Sequence, residues 1–268
     1  METWRYINTG PLDGATNMAI DMALAQCMTL NGHYPVLRVY GWNPPAVSLG
    51  YHQKPSDINI EQCRRDGIDV VVRPTGGRAI LHGDELTYAV ILPKSGYFAG
   101  ADIHKIYELI SRCLISALNS LDFKVSFDRA EATPHDFSRG ELSTLCYAAA
   151  IRYEICYQKK KLVGSAQRQF ENAILQHGSI LIGPYHLELT KYLAQNDTER
   201  RRQIREFLEN KTVCLDDISN KPVTFSELAA AVKKGFSREL DIKFLDTELT
   251  ERELEKVHFI LEVAKQTS

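Results

Sequence analysis

Apolar positions along the chain switch repeatedly between a spacing of three to four residues and a spacing of two, the periods of a helix face and a strand face. Over residues 14–31, Met18, Met22 and Ala25 fall at helical spacing, and Ile20, Leu24 and Cys27 widen the stripe. Two short β-like runs follow, Val36–Tyr40 and Ala46–Tyr51, with Asn43-Pro44-Pro45 marking a turn between them. Ser56 is placed to cap a helix over 57–66 that Gly67 would end. Ile68–Arg73 is β-branched, and Glu85–Leu92 puts Leu86, Tyr88, Val90 and Leu92 on one face of a strand. Residues 102–121 carry the clearest amphipathic stripe, Ile103, Ile106, Ile110, Cys113, Ala117 and Leu121, with Asp102 as its cap.

Three strand candidates then follow one another, Ile151–Gln158, Leu162–Gln169 and Ile174–Leu181, with a turn at Lys159-Lys160. They read as a meander. The remainder is mainly helical. Thr224 with Glu227, and Thr250 with Glu253, have capping-box spacing and start helices near 225–236 and 251–265, with a short strand near Ile242–Leu245 between them. Consecutive strands without intervening helices argue against a doubly wound parallel sheet. They predict an α+β fold with a central mixed, largely antiparallel sheet flanked by helices. No repeat, low-complexity tract or Pro/Gly/Ser-rich linker interrupts the chain. Residues 1–268 are therefore expected to form a single domain with a mainly helical C-terminal part at about 185–268.

Composition narrows the function classes. The net charge is −2 and the pI about 6.5, so bulk charge points to neither nucleic acid nor a membrane surface. The arginine-rich stretch Glu199–Arg205 reads as a solvated helix face. No run approaches the roughly 18 apolar residues of a membrane span, and no signal-like segment opens the chain, so a cytoplasmic location is expected. The six cysteines, Cys27, Cys63, Cys113, Cys146, Cys156 and Cys214, show no C-x-x-C pair. Neither a metal site nor a disulfide framework is expected from them, and most should be small core residues. P-loop, G-x-G-x-x-G, G-x-S-x-G and H-E-x-x-H patterns are all missing.

Three segments carry candidate chemistry. Arg73-Pro74-Thr75-Gly76-Gly77-Arg78-Ala79-Ile80-Leu81-His82 lies between two β runs. Its glycines permit close approach of backbone to a ligand, and Arg73 and Arg78 would suit a phosphate or carboxylate. The same residues also read as a glycine-containing hairpin with solvated arginines. In Lys161-Leu162-Val163-Gly164-Ser165-Ala166-Gln167 and Gln176-His177-Gly178-Ser179, small residues in mid-strand leave a groove or allow tight sheet packing. His177 there, a lone histidine inside a strand, is more often a satisfied core histidine than a catalyst. Cys146 sits in a turn-like region and fits a core stripe least well of the six cysteines, although an incidental loop cysteine would look the same.

Together, R-P-T-G-G-R-A-I-L-H, K-L-V-G-S-A-Q and Q-H-G-S-I-L, with the early A-T-N-M-A-I-D helix and V-S-L-G-Y-H-Q, resemble the lipoate ligase/octanoyltransferase family, in order from about residue 2 to 265. The resemblance implies a biotin protein ligase/class II synthetase-like fold. Arg78 stands where ATP-dependent ligases usually carry a third glycine, which makes the chain similar to the cysteine-dependent octanoyltransferase branch. Cys146, before the strand that leads to Lys161, occupies the place of that branch's acyl-carrying cysteine; Tyr147 follows it where phenylalanine is usual. The branch implies catalytic roles for Cys146 and Lys161. It implies substrate contacts from Arg73, Thr75, Gly76, Gly77, Arg78, His82, Gly164, Ser165, Ala166, His177 and Gly178. Octanoyl–acyl carrier protein would be the donor, and glycine-cleavage H protein or a dehydrogenase lipoyl domain the acceptor. No cofactor would be needed. The alternatives are an ATP/Mg-dependent lipoate or octanoate ligase, a carrier-to-carrier amidotransferase, and a non-catalytic acyl-binding protein.

Overall fold

The residues ahead of the first expected helix themselves form a long strand, β1 (Glu2–Leu12). The computed structural model describes residues 2–29, 33–128, 154–194 and 197–266. In it β1 joins β2 (Val36–Trp42), β6 (Glu85–Pro93), β7 (Ser126–Asp128), β8 (Glu154–Tyr157), β9 (Lys160–Gln169), β10 (Ala173–Leu181) and β11 (Ile242–Asp246). The order in this sheet is β11-β1-β2-β6-β10-β9-β8-β7. The β11–β1–β2 pairings are parallel and the others antiparallel. The expected mixed, largely antiparallel sheet is thus present, and β8, β9 and β10 are the expected meander. Residues 151–153 of its first candidate strand lie outside the described residues.

A second sheet was not foreseen. β3 (Ala46–Leu49), β4 (Asp69–Val72) and β5 (Ile80–His82) pair in the order β4-β3-β5. β3 lies between β4 and β5, so the 73–79 loop is a crossover and not the turn of a hairpin. The reason lies in the pairing: β4 runs parallel to β3 and β5 antiparallel to it.

Helices cover both faces of the large sheet. On one side α3 (Ile103–Asn119) and α5 (Phe225–Leu240) pack Ile110, Leu114, Val232 and Phe236 against Trp4, Leu37, Tyr88 and Val90. On the other, α1 (Gly14–Cys27) and α6 (Glu251–Gln266) bring Ile20, Leu24 and Val257 onto Val36, Ile91 and Leu175. β2 and β6 are consequently buried along both faces. α3 starts at the expected Asp102 cap and buries Cys113 completely. Both capping boxes form, Thr224 with Glu227 and Thr250 with Glu253. In α4 (Thr198–Lys211), Arg202 pairs with Glu199 and Glu206 on an exposed face, as the charge pattern implied.

Two helix boundaries differ from expectation. α1 ends at Cys27 and not at residue 31, because Met28 keeps its side chain in the core from an extended backbone. α2 (Ile60–Arg65) is capped by Asn59, whose side chain accepts from Gln62 N at 3.0 Å. Ser56 lies in a separate short turn, and Ile58 between them is extended and bridges Leu193.

Candidate active site

Where β6, β10 and β9 run side by side, the face toward α1 changes from aliphatic to polar. Antiparallel register sets Thr87, Ser179 and Gly164 in one row and Ala89, His177 and Ala166 in the next. Residues opposite one another share a face, so these side chains point into one space. The small sheet covers that space with Ser48, Arg73, Ile80 and His82, leaving a narrow cavity between the two sheets. Tyr40, Trp42 and Met18 form its apolar end. Of the expected site residues, Arg73, His82, Gly164, Ser165, Ala166, His177 and Gly178 line this cavity together. A side chain at Gly178 would collide with the Gly164 carbonyl, so its smallness serves strand pairing.

Both histidines are clamped between a hydroxyl and a carboxylate. His82 Nδ1–H donates to Glu85 Oε1 at 2.8 Å, and its Nε2 meets Ser48 Oγ at 2.7 Å while the ring stacks on Trp42 at 4.1 Å. Ser179 and Thr87 also donate to Glu85 Oε1, at 2.7 and 2.6 Å. Burial alone would raise the Glu85 carboxyl; His82 and the two hydroxyls outweigh that and hold it below the ordinary carboxylate range. His177 Nδ1 faces Asp21 Oδ2 at 2.9 Å, and its Nε2 faces Thr75 Oγ1 at 2.7 Å. Burial pushes His177 down despite Asp21, while Arg38 and His177 overcome burial to lower Asp21. His177 is therefore neutral near pH 7. Its Nδ1–H donates to the carboxylate and its Nε2 accepts from the Thr75 hydroxyl.

The glycine loop is tied down by its carbonyls. Arg73 Nε and Nη2 donate to Gly76 O, Nη2 donates to Arg78 O, and Nη1 donates to Ser48 O and Oγ, all within 3.2 Å. Arg168 Nη1 takes Pro74 O at 2.8 Å, and Tyr51 N takes Thr75 O at 2.9 Å. Arg73 is buried and lines the cavity, and its donors reach Gly76 and Arg78 in its own loop and Ser48 on β3. Arg78 is half-buried and Gly77 exposed. Among the described residues, the Gly76 and Gly77 N–H groups donate to no protein acceptor.

Lys161 is buried on β9, with Nζ 2.5 Å from Glu154 Oε1, and it does not line the cavity. It therefore offers no surface charge; at the turn before it, Lys159 is exposed and Lys160 half-buried. Cys146 lies outside the described residues. The other cysteines are all buried. Burial, then Glu154 and Asp128, push the Cys156 thiol up to about 12, and burial also raises Cys63 to about 11 and Cys214 to about 12. A thiol held that high is a poor nucleophile at neutral pH.

Sequence reasoning passed over Ser48, Glu85, Asp21, Arg38 and Trp42. Polar residues inside apolar runs, such as Asp21 in α1 and Ser48 in β3, were the available signal.

Residues 13–237 match the model of the lipoyl protein ligase A/B catalytic domain. The octanoyltransferase LipM of Staphylococcus aureus is 36% identical over 264 residues, covering 97% of this chain and 95% of that protein. LipM of Bacillus subtilis is 36% identical over 265 residues, with 97% and 95% covered. In fold, the chain is similar to a bi-partite lipoate protein ligase of Thermoplasma acidophilum, studied with its E2 lipoyl domain (TM-score 0.80, 21% identity, 98% and 93% covered). It is also similar to lipoate-protein ligase A bound with ATP (TM-score 0.76, 20% identity, 98% and 95% covered). The match to the family model and the near full-length relatives lead to one conclusion: the chain belongs to the lipoyl protein ligase A/B catalytic-domain family and is an acyltransferase.

Proposed function

We propose that this acyltransferase moves an octanoyl group from octanoyl–acyl carrier protein, through a thioester on Cys146, to a lysine of a lipoyl-accepting protein such as glycine-cleavage H protein or a dehydrogenase lipoyl domain. The observation that carries this reading is the near full-length similarity to proteins named octanoyltransferase. In the first step the Cys146 thiolate attacks the donor carbonyl, a new C–S bond forms, and the carrier's thiolate leaves and takes up a proton. In the second the acceptor's ε-amine attacks, the amide forms, the C–S bond to Cys146 breaks, and the amine proton passes to the thiolate. Exchange of one thioester for another is nearly thermoneutral and amide formation runs downhill, so neither step requires ATP.

The cavity and its surroundings support parts of this scheme. Its apolar end, at Met18, Tyr40 and Trp42, suits an alkyl chain. The Gly76 and Gly77 amides offer neutral donors to the oxyanion that forms as the carbonyl is attacked. The high-lying thiols of Cys63, Cys156 and Cys214 argue against acylation there. Lys161, once parted from Glu154, would supply the charge that favours thiolate. Among the described residues no helix is long and apolar enough to cross a membrane; the cytoplasm, where both carrier-protein partners work, is the proposed location.

Intact-protein mass spectrometry after mixing with octanoyl–acyl carrier protein, without ATP, tests the reading on wild type and Cys146→Ser. One hydroxylamine-labile octanoyl adduct on wild type, missing from the variant, is expected. Modification of an acceptor only when ATP and free octanoate are supplied would refute thioester transfer and leave the ligase.

A further inference from the structure

We propose that Asp21 is a positioning residue of the acyl site. Acting through His177 and Thr75, it holds in place the 73–79 loop, whose Gly76 and Gly77 N–H groups donate to no described protein acceptor. The inference rests on octanoyl transfer taking place at this cavity.

Asp21 lies in α1, beneath the sheet, fully buried and outside the cavity lining. Its two oxygens are used differently. Oδ1 meets Arg38 Nη1 at 2.6 Å, which by itself completes an ion pair. Oδ2 accepts from Tyr40 OH and His177 Nδ1, both at 2.9 Å. Tyr40 and His177 line the cavity, so this oxygen faces the acyl site and not the α1–sheet anchor. A carboxylate at Nδ1 forces the ring into the tautomer whose Nε2 accepts. The acceptor is then available to the Thr75 hydroxyl, 2.7 Å away.

Thr75 immediately precedes Gly76, and its side chain is fully buried. Its hydroxyl is the tie between the loop and β10, in the large sheet. The loop's other ties reach Ser48 and Tyr51 around the small sheet and Arg168 on β9. The peptide planes that follow Thr75 carry the Gly76 and Gly77 amides; Tyr51 N holds the first through Thr75 O and Arg73 the second through Gly76 O, and the Thr75 hydroxyl joins both to β10. Oxyanion donors act only when held within about 2.7–3.1 Å of the developing charge, and misplacement by about 1 Å can cost up to roughly a hundredfold. A carboxylate with a purely architectural role would affect melting and leave the acylation rate of the folded protein alone.

The test is the single-turnover rate of octanoyl-adduct formation from octanoyl–acyl carrier protein, measured against donor concentration below the melting temperature of each protein. Wild type is compared with Asp21→Asn, Thr75→Val, Thr75→Ser and the Asp21→Asn/Thr75→Val double variant. Each of Asp21→Asn and Thr75→Val is expected to lower the saturating rate about tenfold, the equivalent of about 1.4 kcal/mol. The half-saturating donor concentration should stay within about twofold, as for a contact that matters only in the transition state. Thr75→Ser, which keeps the hydroxyl, is expected within about twofold of wild type. The double variant should be no slower than the slower single variant, since both changes break one chain of contacts. Rates that multiply to a loss of about a hundredfold in the double variant, or a Thr75→Val rate equal to wild type, would overturn the proposal. If Asp21→Asn does not fold, the Thr75→Val and Thr75→Ser pair decides alone. An acylated wild type with unaffected variants removes only this inference. A wild type that takes up no octanoyl group removes octanoyl transfer, and the proposal with it.

Discussion

Arg38 is a heavily hydrogen-bonded core side chain, and its removal has a calculable consequence. It is fully buried. Nε and Nη2 donate to Thr9 Oγ1, Nη2 to Asn17 Oδ1, and Nη1 to Asn17 O and Asp21 Oδ1. Arg38→Met keeps the length of the stem and removes the charge, leaving Asp21 buried with only Tyr40 and His177. Losing one partner of a buried pair costs about 3–5 kcal/mol, which at about 2–4 °C per kcal/mol lowers the melting temperature by on the order of 10 °C. The pH dependence has a definite sign. Arg38 is the largest influence lowering the Asp21 carboxyl against burial. Without it the folded carboxyl titrates higher, and the folded variant binds a proton at a pH where folded wild type does not. Stability rises with pH only where the unfolded state holds more protons, so the variant's deficit must be largest near pH 8 and shrink toward pH 5.5. Urea unfolding followed by tryptophan fluorescence at the two pH values measures it. A deficit below about 1 kcal/mol at pH 8, or one that widens on acidification, would refute the assignment of Arg38 as the counter-charge of Asp21.

Iodoacetamide at pH 7.5 should leave Cys27, Cys63, Cys113, Cys156 and Cys214 unlabelled in the native Cys146→Ser variant, because all five are buried; peptide mapping that finds rapid labelling of Cys156 would reinstate it as a nucleophile. Gly50→Ala places a methyl against the Gly77 carbonyl, so transfer should fall at least about tenfold with a much smaller change in melting temperature; unchanged transfer would show that the loop tolerates displacement. Met18→Ala enlarges the apolar end of the cavity, and competition between acyl–acyl carrier proteins should shift preference toward chains longer than eight carbons; retention of the wild-type preference would place the alkyl chain elsewhere. Burial lowers His186 to about 4 from 6.5. The unfolded chain therefore binds the extra proton between those values, and stability should fall by about 3 kcal/mol from this group as pH drops across that window. His186→Gln should flatten that acid limb of a denaturation series; an unchanged slope would assign it to another group.

How much of this was legible in the chain depends on where each partner sits. The meander was readable because β8, β9 and β10 are joined by short turns and alternate locally. β1 was not, because its partners are β2 and the distant β11 in parallel register, and parallel pairing leaves no turn signature. The small sheet escaped for a related reason: Ala46–Tyr51 and Ile68–Arg73 were readable as β runs, but the β3–β4 pairing is parallel and leaves no turn signature, and β5 has only three residues. Within the site, small and polar residues in mid-strand, Gly164, Ser165, His177 and Gly178, were conspicuous as residue types. Their supports were not. Asp21 and Arg38 look unremarkable alone, and only the packing of α1 on β2 makes them a pair. Arg73 has a role that its place beside two glycines does not reveal: a loop whose carbonyls have no sheet partner needs internal donors, and the nearest guanidinium supplies them.

That use of Arg73 bears on the chemistry. A free guanidinium at the loop would bind any carboxylate or phosphate in its ground state, and binding that is equal in ground and transition states does not speed the chemical step. A thioester carbonyl carries no charge until it is attacked. Gly76 O and Arg78 O accept from a buried cation, while the Gly76 and Gly77 N–H groups donate to no described protein acceptor. These available donors are neutral, fixed dipoles that interact weakly with the thioester and strongly with the oxyanion. In the octanoyl-transfer reading, the arginine thus acts on the reaction through the shape it imposes. Arg73→Lys keeps the positive charge but loses the planar fork that spans Ser48, Gly76 and Arg78. It is therefore expected to lose acylation rate nearly as completely as Arg73→Met, and a Lys variant with wild-type transfer would show that charge, and not loop geometry, is what the site requires of this residue.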